Sequence, residues 1–141
     1  MHAWFRGIAS TAAGLAAGIV LIMAVQALGL RLYPLPPDTD LADPEALARV
    51  VRDAPVGALL MVELSYAAGS LAAGMVVGLL SGRAYLPAGV IGGLLTVAGL
   101  ANLAAVPHPA WFAVVSTVTY LPGTMLGVLA VRRWRTNPVR A

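Results

Sequence analysis

Apolar and polar positions along this chain fall into long blocks rather than alternating. Four stretches, Gly7–Leu30, Ala54–Gly82, Ala84–Pro107 and Pro109–Val131, are almost free of charge. A helix rises about 1.5 Å per residue, so roughly 20 apolar residues cross a hydrocarbon layer of about 30 Å. Each stretch passes that test, which predicts spans at about 7–30, 56–80, 84–106 and 109–131. A membrane chain satisfies its backbone inside helices or in a closed barrel. Barrel strands alternate over about 10 residues, whereas these stretches are apolar all round, so helices are predicted. Gly7–Leu30 follows Arg6 and has a Val25-Gln26-Ala27 site of the signal-peptide kind, but a signal core of about 7–15 residues is much shorter. It reads as a true span. Spans and connections use nearly all 141 residues, leaving a single membrane domain, 1–141.

The one sizeable polar stretch, Pro34 to Pro55, starts where Pro34, Pro36 and Pro37 stop the first helix. Inside it, Asp43-Pro44-Glu45 is a helix start: an N-cap, a proline at the first helical position, and an acid at the positive dipole end. Leu47, Val50, Val51 and Ala54 then recur at i, i+3, i+4 and i+7, with Glu45, Arg49 and Arg52 elsewhere on the wheel. That spacing predicts a short amphipathic helix over about 44–53, lying in the membrane interface or lidding the spans.

Ser81-Gly82-Arg83 forms a tight turn between the second and third spans, and Val106-Pro107-His108-Pro109 a corner between the third and fourth. Trp111 and Phe112 suit one headgroup level, and Trp4, Phe5 and Trp134 the other. Short connections make successive spans antiparallel. The fold class is therefore an all-α membrane protein, an antiparallel four-transmembrane-helix bundle. Gly14 and Gly18, Gly74 with Gly78 and Gly82, Gly89 and Gly93, and Gly123 and Gly127 give every span a small face for close backbone approach. Pro122 inside the fourth span predicts a kink.

Charge sets orientation. All nine basic residues are arginine, and the net charge is +3. Arg6, Arg83, Arg132, Arg133, Arg135 and Arg140 lie on the side of the termini. Arg31, Arg49 and Arg52 lie on the other, beside Asp38, Asp40, Asp43, Glu45 and Asp53. The positive-inside rule then places both termini in the cytoplasm, with the 34–55 loop and His108 periplasmic or extracellular. The arginine-rich tail borders a span, so anionic lipid headgroups are its expected partner; no basic domain is present to bind nucleic acid. The chain has no cysteine, which excludes disulfide exchange and thiolate metal sites.

Glu63 is the sole carboxylate inside an apolar span, and such a residue is by default a functional-site hypothesis. Gln26, Asn102, Ser116 and Thr117 fall at a similar depth, roughly 6–12 Å below the outer face by helical rise. Tyr66 and Ser70 share Glu63's helical face at i+3 and i+7. These seven residues either line a ligand or proton pocket, or act as hydrogen-bonding glue worth about 0.6 kcal/mol each. His108 with the nearby carboxylates has no metal-ligand spacing, so neither metal nor cofactor is predicted. No phosphate loop, nucleophile elbow or zinc helix is present.

Pro36-Pro37-Asp38, Asp43-Pro44-Glu45-Ala46-Leu47, Tyr66-Ala67-Ala68-Gly69-Ser70 and the run Asn102 to Phe112 (NLAAVPHPAWF) resemble those of a family of small, uncharacterised bacterial four-span membrane proteins. The resemblance implies the topology above and a bacterial inner-membrane setting, with no activity or functional residue to transfer. In size, span number and a membrane Glu the chain is also similar to small multidrug transporters, which carry that Glu in the first span rather than the second. Two functions follow. One is a non-enzymatic packing, accessory or lipid-associated component, partnered by membrane lipids, further copies or a larger membrane complex. The other is a small oligomeric proton- or cation-coupled transporter using Glu63.

Overall fold

The computed structural model describes residues 2–82 and 84–136. Arg83 and Arg140, two of the six arginines assigned to the side of the termini, lie outside them. The described residues form five helices and no strand: α1 (His2–Leu32), α2 (Pro44–Asp53), α3 (Val56–Leu80), α4 (Tyr85–Ala105) and α5 (Ala110–Thr136). All but α2 are long and apolar enough to cross a membrane. Large apolar side chains such as Leu60, Leu64, Val97, Val114 and Leu126 point outward. On a water-soluble protein so much exposed apolar surface is an aggregation liability; facing lipid tails it costs nothing. The chain is a multi-pass membrane protein.

Local chemistry explains the boundaries. α1 stops before Pro34, whose ring excludes helical backbone at the preceding residue. Pro37 then opens a turn in which Asp38 takes φ 61°, a left-handed conformation that aspartate tolerates better than most residues. The Asp43 carboxylate caps α2, accepting from the backbone N–H of Glu45 at 3.0 Å and of Ala46 at 3.3 Å. Pro87 falls in the first turn of α4, where a missing N–H is harmless. α5 runs unbroken through Pro122.

Helix α3 is the hub, packing on α1 along one side and on α5 along another, while α4 packs on α5. The α1–α3 pair is antiparallel: Gly14 meets Ala73 and Val77, Gly18 meets Gly69, and Gly29 meets Met61. The α3–α5 pair is parallel and in register. Glu63 meets Ser116, Ser70 meets Gly123, Gly74 meets Thr124 and Gly127, and Gly78 meets Val131. Loop length predicts α3 and α4 as the close neighbours, yet they touch only slightly. In lipid, association goes to the faces that allow the closest backbone approach, and α3 and α5 have the matched small residues. On α4 the expected Gly93 faces open space, and Gly89 is only loosely approached; Gly92 and Gly99 pack against Leu121, Thr124 and Tyr120 of α5 instead.

Two ends result. At the termini end Arg135 of α5 donates to the carbonyl oxygens of Gly78 at 3.3 Å and Leu79 at 2.9 Å, capping the last turn of α3 with positive charge. The enclosed apolar core, Ala73, Val77, Ala84, Ala88, Ile91 and Val128, lies in this half. At the other end no residue of α2 is fully buried. Its Ala46, Leu47, Val50 and Val51 are half-buried, while Glu45, Arg49 and Arg52 are exposed.

Candidate functional site

Three of the buried polar side chains, Glu63, Ser65 and Ser116, lie in the half of the spans nearer α2, and α3 divides them between its two neighbours. A helix that faces partners on two sides presents successive residues to different interfaces, since each step turns about 100°. Ser65 turns toward α1, where the Gln26 amide Nε2 donates to its hydroxyl at 3.3 Å; that hydroxyl in turn donates to Val62 O at 2.6 Å. Glu63 turns toward α5, where the Ser116 hydroxyl donates to its Oε1.

Glu63 is only 7% exposed and Ser116 2%. The second carboxyl oxygen, Oε2, is buried with no hydrogen-bond partner. Neither ion pair among the described residues involves Glu63; both belong to Arg49, at 3.8 Å from Asp43 and 3.9 Å from Glu45. The hydroxyl of Thr119 is close by but donates to Val115 O at 2.8 Å. Tyr66 and Tyr120 both lie within electrostatic reach of the Glu63 carboxyl. Their rings pack with centroids 5.1 Å apart, and Tyr120 is held in place by the bare backbone of Gly99. A buried carboxylate is costly unless paired and hydrogen-bonded. Here the carboxyl receives one hydroxyl, that of Ser116, and no cation among the described residues.

A cavity of about 1020 Å³ lies between the last turns of α1, the first turns of α3, the 34–43 segment and α2. Its walls are mostly apolar, including Leu30, Val50, Leu59 and Val62. Gln26 and Tyr66 form the polar part of its wall farthest along the spans, and Asp38, Asp40, Asp43 and Asp53 stand around it with one arginine, Arg49. Glu63 does not line it. Tyr66 does, and so connects the cavity to the Glu63 cluster.

The seven residues expected to share one pocket therefore separate. Glu63 and Ser116 meet, with Tyr66 beside them through Tyr120. Ser70 is buried one turn further, donating to Ala67 O at 3.1 Å and packed against Gly123. Gln26 belongs to a second cluster with Ser65. Thr117 is half-buried and bonds back to Ala113 O at 2.7 Å. Asn102 does not join; it sits on the exposed face of α4, because α4 packs chiefly on α5 through its glycine side. Equal depth along four helices says nothing about azimuth, and the azimuths differ.

Two participants escape a reading of the sequence: Ser65 and Tyr120. Ser65 looks like an ordinary small residue until α1 is placed against it. Tyr120 had a usable signal, since Ser70 and Gly74 stand at the same spacings from Glu63 as Gly123 and Gly127 from Ser116. That match aligns the two helices in parallel. His108 turns its Nδ1 to Val106 O at 2.6 Å and stacks on Phe112 at 4.8 Å, which makes it a corner-stabilising residue. No cluster of three potential metal ligands exists among the described residues. No family model, curated protein or solved structure matches this chain.

Proposed function

We propose that this chain is a small bacterial inner-membrane carrier of non-enzymatic type, in which Glu63 takes up a proton or small cation. The single observation that carries this reading is the unpartnered, nine-tenths-buried Oε2 of Glu63. A packing residue has every reason to be satisfied, because an unmet buried polar atom costs about 1–3 kcal/mol. A binding residue must leave a position open. Tyr66 links that position to the cavity under residues 34–55, which serves as the port for a transported solute.

In this reading the four long helices form a bundle, and α2 lies at the membrane interface as a roof over the port. The arginine bias supports cytoplasmic termini and a periplasmic 34–55 loop. The resemblance to small bacterial four-span proteins supports the inner membrane. A second reading, an accessory or packing component, is favoured by the Gln26–Ser65 pair and by the hydroxyls of Thr11, Thr96, Thr117 and Thr119, all bonded within their own helices.

Proteoliposomes loaded with a pH-sensitive dye separate the two. Under an imposed proton or sodium gradient the wild-type chain is expected to dissipate the gradient faster than empty vesicles. Glu63→Gln keeps the shape and the bond to Ser116 but cannot ionise, so it should fall to the empty-vesicle rate with its helix content unchanged. Wild-type and Glu63→Gln vesicles behaving alike would defeat the carrier reading and leave the packing one.

A further inference from the structure

The termini end carries a second concavity, unlike the first in charge and unrelated to Glu63. It is a groove of about 720 Å³ between the first turns of α1 and the start of α4. Trp4, Ile8 and Thr11 form one wall, Leu86 and Val90 the other, with Arg6 among the lining residues. Trp4 is 81% exposed and Leu86 76%, so these walls open to the surroundings. Beyond Thr11 the two helices converge at Gly14, where an added Cβ would come within 2.9 Å of Ile91 Cδ1. The groove is thus a wedge, open toward the end of the spans and closed in the membrane interior.

Its walls offer almost no polar contact. The hydroxyl of Thr11 donates to Gly7 O at 2.9 Å, so it is not available as a donor to a guest. The rim is different. Arg6 forms no ion pair with a described residue. Arg132 is fixed beside the opposite lip: its guanidinium donates to the carbonyl of Gly82, a lining residue, at 3.5 Å and lies 4.2 Å over the Tyr85 ring. The acidic side chains of the chain are Asp38, Asp40, Asp43, Glu45, Asp53 and Glu63. The first five stand at the α2 end and the sixth is buried between α3 and α5, so no acidic side chain neutralises this rim.

An apolar wedge entering the bilayer, with arginines and a tryptophan at its mouth, has the complementarity of one kind of guest. We propose that the groove is a binding site for an anionic phospholipid, with one acyl chain between α1 and α4 and the phosphate on Arg6 and Arg132. A zwitterionic lipid supplies the same chain but meets the two guanidinium groups with a cancelled headgroup charge. The arginine-rich tail gives diffuse attraction to the same leaflet; the groove adds a seat for an individual molecule.

The purified full-length chain in mild detergent, titrated with phosphatidylglycerol or phosphatidylcholine, tests this by thermal unfolding and by native mass spectrometry. Phosphatidylglycerol should raise the melting temperature and leave one lipid bound, and phosphatidylcholine should do neither at equal concentration. Arg6→Gln should weaken retention about fivefold, the worth of one guanidinium at a membrane surface. Arg6→Lys should recover most of it, and Thr11→Trp, which fills the wedge, should abolish it with helix content intact. Equal retention of both lipids, full retention by Arg6→Gln together with Arg132→Gln, or displacement by inorganic phosphate would overturn the site. So would a dimer whose contact excludes the lipid.

Discussion

The contact between α3 and α5 makes a sharp prediction at Gly127. A Cβ placed there would lie 2.7 Å from Met75 N and 2.9 Å from Gly74 C, and against Leu71 O. All three are backbone atoms of one helix, so no side-chain rotation can relieve the clash, and α3 and α5 must move apart. Overpacking costs about 1–3 kcal/mol, and the rigid obstruction argues for the upper end. Against this, alanine gains roughly 1 kcal/mol over glycine in a helix interior. The balance for Gly127→Ala is a loss of about 2 kcal/mol, which shifts the folded-to-unfolded ratio by a factor of about 30. Gly93, on the open face of α4, has nothing within 4 Å, so Gly93→Ala keeps the helical gain alone. Unfolding by sodium dodecyl sulfate in mixed micelles, followed by tryptophan fluorescence, measures both. Gly127→Ala should unfold at a clearly lower detergent fraction than the wild type, and Gly93→Ala at an equal or higher one. Gly127→Ala as stable as the wild type, or both variants equally weakened, would refute the close parallel contact.

Three further outcomes follow from the geometry. In the same assay Arg135→Ala should cost about 1 kcal/mol, since it removes the charged cap from the last carbonyls of α3, and Arg135→Lys should recover part of that. Asn102→Leu should be neutral or stabilising, because Asn102 is exposed on α4, whereas Gln26→Leu should lose about 0.6 kcal/mol with the bond to Ser65; a larger loss at Asn102 would contradict its placement. Glu45 is 88% exposed at the side chain, so Glu45→Cys in intact cells should react with an impermeant thiol reagent. Reaction only after lysis would reverse the proposed orientation.

Much of the helical framework was legible in the residues. Long uncharged blocks mean long helices because lipid offers the backbone no other partner, and Pro34, Asp43-Pro44, Pro55 and Pro109 mark boundaries through local steric and capping effects. Glu63 stood out as well, since one carboxylate within apolar sequence needs no neighbour to be conspicuous. What it touches was not legible. Whether Glu63 meets Ser116, whether Gln26 meets Ser65, and whether Asn102 meets anything depend on helix azimuth, which hydropathy cannot report when every face of a span is apolar. The neighbour relations were also out of reach. Short turns argue for α3 beside α4, but packing in lipid is governed by how closely backbones approach. Ser70, Gly74 and Gly78 fit Gly123, Gly127 and Val131 better than anything on α4. Sequence alone therefore determined which segments enter the membrane and where they stop. The tertiary structure decided which faces meet, and with them the unpartnered oxygen of Glu63, the cavity beside Tyr66 and the basic-rimmed groove between α1 and α4.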